Sequence, residues 1–173
     1  MVKENYVSLI CCIFKPITMK PGTFTQMYVQ LVFAVQNKEN VLSERIKPRI
    51  FEYTSGIVRN LKHKSIIING PSDHIHILLG LNPSVSVSDT VHDIKRGSSL
   101  FINQNRLLHG RFSWQEGYGA FTYSRSQIED VYRYIENQEI HHSKKTFRQE
   151  YMTMLEHNEI EFDARFLFDF FEG

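Results

Sequence analysis

The segment between residues 64 and 81 constrains the fold more than any other part of the sequence. Two apolar runs, KSIIING (64–70) and DHIHILLGL (73–81), are separated by a short connection around Gly70 and Pro71. Runs rich in isoleucine and leucine, bounded by such turn residues, are typical of β-strands. Because the connection is so short, the two strands are predicted to pair as an antiparallel hairpin.

The other predicted elements surround this hairpin. β-Branched and aromatic residues predict a strand before it, in 23–36, and another after it, in 111–124. The order β-α-β-β-α-β followed by helices is a split βαβ arrangement. We therefore predict an α+β, ferredoxin-like fold: an antiparallel sheet with helices on one face, plus a C-terminal helix that bears a tyrosine. The helices are predicted in the segments 44–62, 84–104, 124–142 and 146–158.

The size of the chain indicates one domain, and its charge is unevenly distributed along the sequence. A chain of 173 residues with 42% hydrophobic residues suits a single core. Residues 1–149 carry a net charge of +7 and residues 150–173 a net charge of −6. A basic body is compatible with a polyanionic partner, although many solvated surfaces have the same composition. We expect residues 1–21 to be an N-terminal extension and 22–173 to form one domain with an acidic C-terminal tail.

The N-terminal residues also bear on location. The apolar run at 6–14 is about half as long as a membrane helix, so no membrane association is predicted. Cys11 and Cys12 are adjacent, which gives neither a disulfide framework nor a zinc pattern. These features are compatible with a reducing compartment, and we expect a cytoplasmic protein.

Two histidines interrupt the second strand of the hairpin. His74 and His76 share one face of the strand, whereas Ile75 and Ile77 share the other. If the aliphatic face packs on the helices, the histidine face is the open face of the sheet. There the two imidazoles can hold one metal ion, or they can simply be exposed polar residues. The flanking residues match neither the zinc hydrolases with an H-x-H-x-D-H motif nor the cupin barrels.

The helix at 124–142 offers further polar groups. Its apolar stripe contains Ile128, Val131 and Ile135, and Tyr134 and Gln138 lie together at the edge of that stripe. Docking by the stripe would aim both side chains at the covered surface. A phenol beside a metal ion is a plausible nucleophile for phosphoryl transfer, and an amide oxygen suits Mg²⁺ or Mn²⁺. The alternative is a boundary tyrosine and a solvated amide.

The residues quoted so far occur in a combination that resembles a known family, the single-tyrosine HUH transposases of the smallest bacterial insertion sequences. His74-Ile75-His76 is similar to the histidine–hydrophobic–histidine motif of that family. In YIENQEIHH (134–142), Tyr134 and Gln138 correspond to its nucleophile and third metal ligand. The resemblance covers roughly residues 22–171 and includes the phrases MYVQLVFAVQ, INGPSDHIHILLGL, FSWQEGYGAF and YIENQEIHHSKKTFRQEY, in the expected order.

The resemblance implies a metal-dependent DNA transposase that uses Mg²⁺ or Mn²⁺. Such an enzyme cleaves single-stranded DNA near hairpin ends, becomes linked through tyrosine to a 5′ phosphate, and rejoins the DNA by attack of a second 3′-OH. It also implies a homodimer, in which the tyrosine of one subunit often serves the site of the other. One departure is Gln30, a position that is often histidine in relatives.

Other readings stay open from the sequence alone. A transposase-derived protein could grip hairpins without cutting them, although the four site residues are intact. Rolling-circle replication initiators and relaxases, the nearest enzymatic alternatives, are usually longer than this chain.

Basic side chains could contact DNA, or could end helices and serve as solvated surface charges. These candidates are Lys95, Arg96, His141, His142, Lys144 and Lys145.

Overall fold

The structure is a computed structural model, which describes residues 22, 24–36, 41–143 and 145–170. The predicted N-terminal extension at 1–21 and the candidate DNA contact Lys144 lie outside the described residues. Within the described part of the chain, no helix combines the length and the apolarity needed to cross a bilayer.

A four-stranded antiparallel sheet is the centre of the fold. Its strands are β1 (Tyr28–Ala34), β2 (Lys64–Asn69), β3 (His74–Gly80) and β4 (Gly119–Tyr123), in the spatial order β2-β3-β1-β4. This order is that of the predicted ferredoxin-like split βαβ arrangement, so the predicted fold class is confirmed. The β2-β3 hairpin forms where the sequence predicted it.

The described helices follow the predicted order with altered ends. They are α1 (Lys47–Asn60), α2 (Val87–Gln104), α3 (Ile128–Glu136), α4 (Gln138–His142) and α5 (Phe147–His157). Ser86 caps α2 by accepting a hydrogen bond from the Asp89 backbone N–H. Thr146 caps α5 in a capping box with Gln149. These local caps explain why the starts of α2 and α5 could be located from the sequence.

The helix predicted over 124–142 is broken at Asn137. The Asn137 side-chain amide donates to the Arg133 carbonyl, and such local hydrogen bonds compete with helix continuation. Asn69, at the end of β2, donates to the carbonyls of Ile135 and Glu136 at 2.9 and 3.0 Å. These bonds satisfy carbonyls that the interrupted helix leaves free, and they fix the end of α3 against the hairpin.

The first and fourth strands are shorter than predicted. Beyond β1, the pairing continues as an isolated bridge between Val35 and Trp114. Gly117 has a φ of 76°, a left-handed conformation that turns the chain just before β4. The segment 111–118 therefore approaches β4 without forming a continuous strand with it.

One face of the sheet packs on α1 and α2, as expected. The inward side chains of β1 and β3 on this face are all almost completely buried. They join the same apolar cluster as Ile50 of α1 and Ile94 of α2. The strand residues are Val29, Leu31, Phe33, Ile75, Ile77 and Leu79.

The expectation that the histidine face is open was wrong. His74 and His76 are both 0% exposed because the C-terminal helices fold back over this face. The stripe of α3 packs with Tyr28 and Leu78 in a second apolar cluster. On α5, Phe147 stacks on His74 with ring centroids 3.7 Å apart. A polar pair is thus held in a buried site rather than on a solvated sheet.

The acidic tail contributes to this cover through its aromatic residues. Phe168 and Phe170 are buried, and their rings lie 5.7 and 5.2 Å from that of Phe147. Both also contact the ring of Tyr151. The described part of the tail therefore packs its phenylalanines on the helix that covers the histidines.

Gly70→Ala is expected to destabilise the protein. A Cβ at this position would lie 2.3 Å from the His74 carbonyl oxygen and 2.8 Å from Ile75 Cα, both backbone atoms that cannot rotate away. Overpacking of this kind costs about 1–3 kcal/mol, which urea unfolding would measure. The matched control is Gly56→Ala inside α1, where no atom lies within 4 Å and a gain of about 0.5–1 kcal/mol is expected. Equal stability of the two variants would contradict this account of the turn.

Candidate functional site

The histidine pair is positioned by the central strand β3. This strand pairs on one side with β1, where His76 lies opposite Val32, and on the other side with β2. Because every residue of β3 is buried, the register of this strand is strongly specified. The two imidazoles therefore face each other, with 3.1 Å between His74 Nε2 and His76 Nε2.

Asp73 orients the first imidazole. Its Oδ1 lies 2.8 Å from His74 Nδ1, so a proton on Nδ1 leaves the Nε2 lone pair free. By strand alternation, a residue next to His74 would point to the opposite face of the sheet. The alternation does not apply because β3 begins only at His74, and Asp73 belongs to the turn.

Gln30 contacts the second imidazole, a role that sequence reasoning did not find. Its side-chain Nε2 lies 2.8 Å from His76 Nδ1, and its Oε1 accepts a hydrogen bond from the Tyr123 hydroxyl at 2.8 Å. Turning the amide by 180° would let Oε1 accept a hydrogen bond from Nδ1–H and let Nε2 donate a hydrogen bond to the Tyr123 oxygen. In that arrangement His76 Nε2 keeps its lone pair. Gln30 and Tyr123 can thus select the His76 tautomer.

Gln30→Leu is expected to weaken binding of a divalent ion by about tenfold to a hundredfold, the usual effect of losing an outer-shell partner. The reason is that His76 Nδ1 would lose the group that holds its tautomer. Titration of the metal-free protein with Mn²⁺ would measure the change. Gln26→Leu, the same substitution at an exposed position just before β1, is the control. Equal Mn²⁺ affinity in the two variants would argue against this role for Gln30.

Tyr134 and Gln138 meet the histidines from α3 and α4. The Tyr134 ring lies 5.9 Å from that of His76 in an edge arrangement, within the same chain. Gln138 is completely buried, and its Oε1 has no hydrogen-bond partner among the residues that the structure describes. The structure thus brings the predicted nucleophile and the predicted third ligand to the histidine pair, and their chemical roles stay predictions.

Glu150 of α5 occupies the centre of this arrangement and was not predicted. Its Oε1 accepts hydrogen bonds from the Tyr134 hydroxyl and, at 2.9 Å, from Gln138 Nε2. Its Oε2 lies 2.9 Å from His142 Nε2 and 3.3 Å from His74 Nε2. The sequence did hold a signal, because Glu150 follows Phe147 by three positions and precedes Met154 by four. A carboxylate on the apolar face of a helix is unusual and points to a specific partner.

The charges in the site are strongly coupled. Burial opposes ionisation of Glu150, but the facing histidines outweigh it and hold its pKa well below the usual range. Burial, reinforced by the Glu150 carboxylate, raises the pKa of the Tyr134 phenol well above its usual value. Burial also lowers the pKa of His76. The resting site therefore combines an ionised carboxylate with a protonated phenol.

His74 differs from His76 in its titration. Burial opposes its protonation, but the hydrogen bonds to Asp73 and Glu150 outweigh burial and raise the pKa of His74. A histidine outside this site, His63, is also buried. His63 is 4% exposed, lies 2.8 Å from the Thr90 hydroxyl and accepts a hydrogen bond from the Asn82 backbone N–H.

The arrangement of donor atoms fits a single divalent ion. Ligand atoms bound at about 2.1 Å to one ion lie roughly 3 Å apart. The spacing between His74 Nε2 and His76 Nε2 is 3.1 Å, and Glu150 oxygens lie 3.3 and 3.5 Å from these nitrogens. Gln138 contributes a buried amide whose Nε2 donates to Glu150 and whose Oε1 is a neutral acceptor without a partner among the described residues. Ligand atoms of His74, His142 and Glu150 also lie within 4.8 Å of one another.

The candidate DNA contacts fall into two groups. His141, His142 and Lys145 line a cavity of about 480 Å³ that also reaches Tyr134 and Glu150. These three residues line the same cavity as Tyr134, and DNA contact stays a prediction for them.

Lys95 and Arg96 lie on α2, on the opposite side of the sheet. The Lys95 ammonium donates to the Gln115 carbonyl at 2.8 Å and to the Gly117 carbonyl. Burial lowers the pKa of Lys95 to about 8. These contacts give Lys95 a role in holding the segment before β4, whereas Arg96 is exposed.

Comparison with known protein families shows to which family the chain belongs. The family model for IS200-like transposases matches residues 23–138, which is more than half of the chain. The chain belongs to the IS200-like transposase family. The match includes β1 to β4, the histidine pair, Tyr134 and Gln138, and it ends before Glu150. No curated protein matches this transposase.

Solved structures show the same fold. A candidate transposase from Deinococcus radiodurans R1 is 22% identical, with a TM-score of 0.55, and the alignment covers 69% of this chain and 96% of that one. A REP-associated tyrosine transposase bound to a REP hairpin is 12% identical, with a TM-score of 0.53. That alignment covers 72% of this chain and 74% of the other.

Proposed function

We propose that this transposase cleaves and rejoins single-stranded DNA at hairpin-marked ends of its element through a 5′-phosphotyrosine intermediate. One observation carries the proposal: the Tyr134 hydroxyl lies in the same buried site as His74, His76 and Gln138. A nucleophile beside a set of metal-binding groups is the arrangement that tyrosine-mediated phosphoryl transfer requires.

His74, His76 and Gln138 would hold a divalent ion, Mg²⁺ or Mn²⁺. When bound, the ion withdraws charge from the scissile phosphate and stabilises the leaving oxygen. The chain itself prepares these ligands. Asp73 fixes the Nδ1 proton of His74, and the amide of Gln30 can fix that of His76.

Tyr134 would be the nucleophile. Its phenol oxygen forms a bond to phosphorus while the bond to the 3′ oxygen breaks. The phenol loses its proton and the leaving 3′ oxygen takes one up, so the 5′ phosphate stays on tyrosine and a 3′-OH is released. The raised pKa keeps the phenol protonated at rest, so its nucleophilicity depends on the substrate complex. Because α3 packs on β3, the Tyr134 ring is held in place, so little reorientation is needed before in-line attack.

The second step would reverse the first with a different strand. Another 3′-OH attacks the phosphotyrosine, the bond from phosphorus to the Tyr134 oxygen breaks, and the phenol regains its proton. Because the energy of the phosphodiester is retained on the enzyme, no nucleotide cofactor is needed.

The partner would be single-stranded DNA with hairpins. The net charge of +7 in residues 1–149 favours a polyanion, and the fold is shared with a transposase bound to a REP hairpin. We also propose a homodimer and a cytoplasmic location. Since Tyr134 reaches His76 within one chain, each subunit can assemble a site from its own residues.

A covalent-trapping assay tests this function. The protein is mixed with labelled single-stranded DNA carrying the hairpins that flank its gene, with Mn²⁺ or Mg²⁺ or with EDTA, and is separated on a denaturing gel. A metal-dependent protein–DNA adduct and a shortened strand with a 3′-OH are expected. Tight hairpin binding and metal binding without any adduct would instead identify a DNA-binding protein that does not cut.

A further inference from the structure

Glu150 contacts most of the polar groups of the site, and the proposed function gives it no role. The residue is 5% exposed, and its two oxygens face His74, His76, His142 and the groups of Tyr134 and Gln138. A carboxylate has about four lone-pair positions, and the hydrogen bonds from Tyr134, Gln138 and His142 use three of them, which leaves one on Oε2.

The burial of this carboxylate calls for a compensating cation. An ionised carboxylate out of water is unfavourable unless it is paired or binds a metal. In the part of the chain that the structure describes, the ion pairs recorded for Glu150 are all with histidines: His74, His76 and His142. Histidines that bind a metal must be neutral, so they would no longer balance the charge of Glu150.

The positions of the two oxygens match those of a ligand. Oε2 lies 3.3 Å from His74 Nε2, and Oε1 lies 3.5 Å from His76 Nε2. Both distances are close to the spacing expected between neighbouring ligands of one ion. His142 Nε2 lies 2.9 Å from Oε2 on α4 and can hold the carboxylate in this orientation. An ion placed between the two imidazoles would therefore also meet Glu150.

We propose that Glu150 is an anionic ligand of the metal centre, which it completes together with His74, His76 and Gln138. The inference rests on the proposed function, because it adds a ligand to the same centre. It also goes beyond the family match, which ends at residue 138. The carboxylate supplies the negative charge that a centre made only of imidazole and amide ligands lacks.

A purely structural role predicts a different outcome. If Glu150 only holds Tyr134, Gln138 and His142 in place, its neutral isostere Gln would lower stability but would leave metal affinity close to that of the native protein. If Glu150 binds the ion, loss of its charge weakens the metal complex directly. Metal affinity measured without DNA separates the two roles.

The test is calorimetric titration of metal-free protein with MnCl₂, without DNA. Glu150→Gln is expected to bind Mn²⁺ at least about tenfold to a hundredfold more weakly than the native protein. Glu150→Asp, which keeps the charge, is expected to recover part of the affinity. Glu156→Gln, the same change at an exposed position of α5, is the matched control and should bind like the native protein.

Two further measurements keep the outcome decisive. Circular dichroism shows whether each variant is folded. If Glu150→Gln is unfolded, Glu150→Asp and the native protein are both loaded with Co²⁺ and their absorption spectra are compared. A changed Co²⁺ absorption spectrum in the Asp variant supports ligation, and an unchanged spectrum overturns it. Native affinity in a folded Glu150→Gln variant, together with loss of binding in His74→Ala, overturns the role of Glu150 alone. A native protein that binds no Mn²⁺ overturns this inference and the metal-dependent function together.

Discussion

Tyr134→Phe is expected to abolish the covalent protein–DNA adduct, with a rate at least about four orders of magnitude below that of the native protein. The substitution removes only the hydroxyl that would attack phosphorus. The ring that packs beside His76 is retained, so folding, Mn²⁺ binding and hairpin binding should persist. The rate is measured from the growth of the adduct band with labelled DNA.

Tyr132→Phe is the matched control, because Tyr132 lies on the same helix and is turned well away from Tyr134. This variant should form the adduct at close to the native rate. An adduct that persists in Tyr134→Phe and disappears in Tyr132→Phe would show that Tyr132, and not Tyr134, is the nucleophile. Loss of the adduct in both variants would indicate damage to the helix rather than to the chemistry.

His76→Ala is expected to lose metal binding and adduct formation together. His76 is completely buried in the middle of the site, and its Nε2 lies 3.1 Å from that of His74. Loss of a direct ligand, the role proposed for His76, should weaken Mn²⁺ binding by more than the roughly tenfold to hundredfold typical of outer-shell changes. Titration with Mn²⁺ and the yield of adduct at saturating DNA measure the two effects.

His92→Ala is the control for this variant, since the His92 side chain is 70% exposed on α2. It should match the native protein in both measurements. Circular dichroism of the metal-free His76→Ala protein checks that the fold survives the lost packing. A folded His76→Ala protein that forms the adduct at the native rate would exclude His76 from the centre.

Local sequence patterns were sufficient to predict which site residues are neighbours along the chain. Strand alternation placed His74 and His76 on one face. Helical spacing placed Tyr134 beside Gln138, and both contact Glu150 although the helix is broken between them at Asn137. The β2-β3 hairpin followed from its short connection. Each of these relations depends only on residues a few positions apart, which is why the sequence alone could carry them.

The contacts between elements could not be predicted in the same way. The histidine face proved to be covered, because α5 folds back over the sheet through Phe147 and Tyr151. Glu150 was counted with the acidic tail, and only this tertiary arrangement brings it to His74. Gln30 reaches His76 across the β1-β3 pairing, at a separation of 46 residues. Local sequence periodicity carries no information about contacts between residues so far apart in the chain.

Mapping the DNA attachment site tests the central claim most directly. The trapped adduct is digested with nuclease and trypsin, and mass spectrometry locates the peptide that retains a nucleotide. Cleavage after Arg133 separates the two tyrosines, since Tyr132 falls in the peptide 126–133 and Tyr134 begins the peptide 134–144. The account predicts a nucleotide phosphate on Tyr134. A nucleotide on any other peptide, or strand cleavage that leaves no nucleotide on the protein, would contradict it.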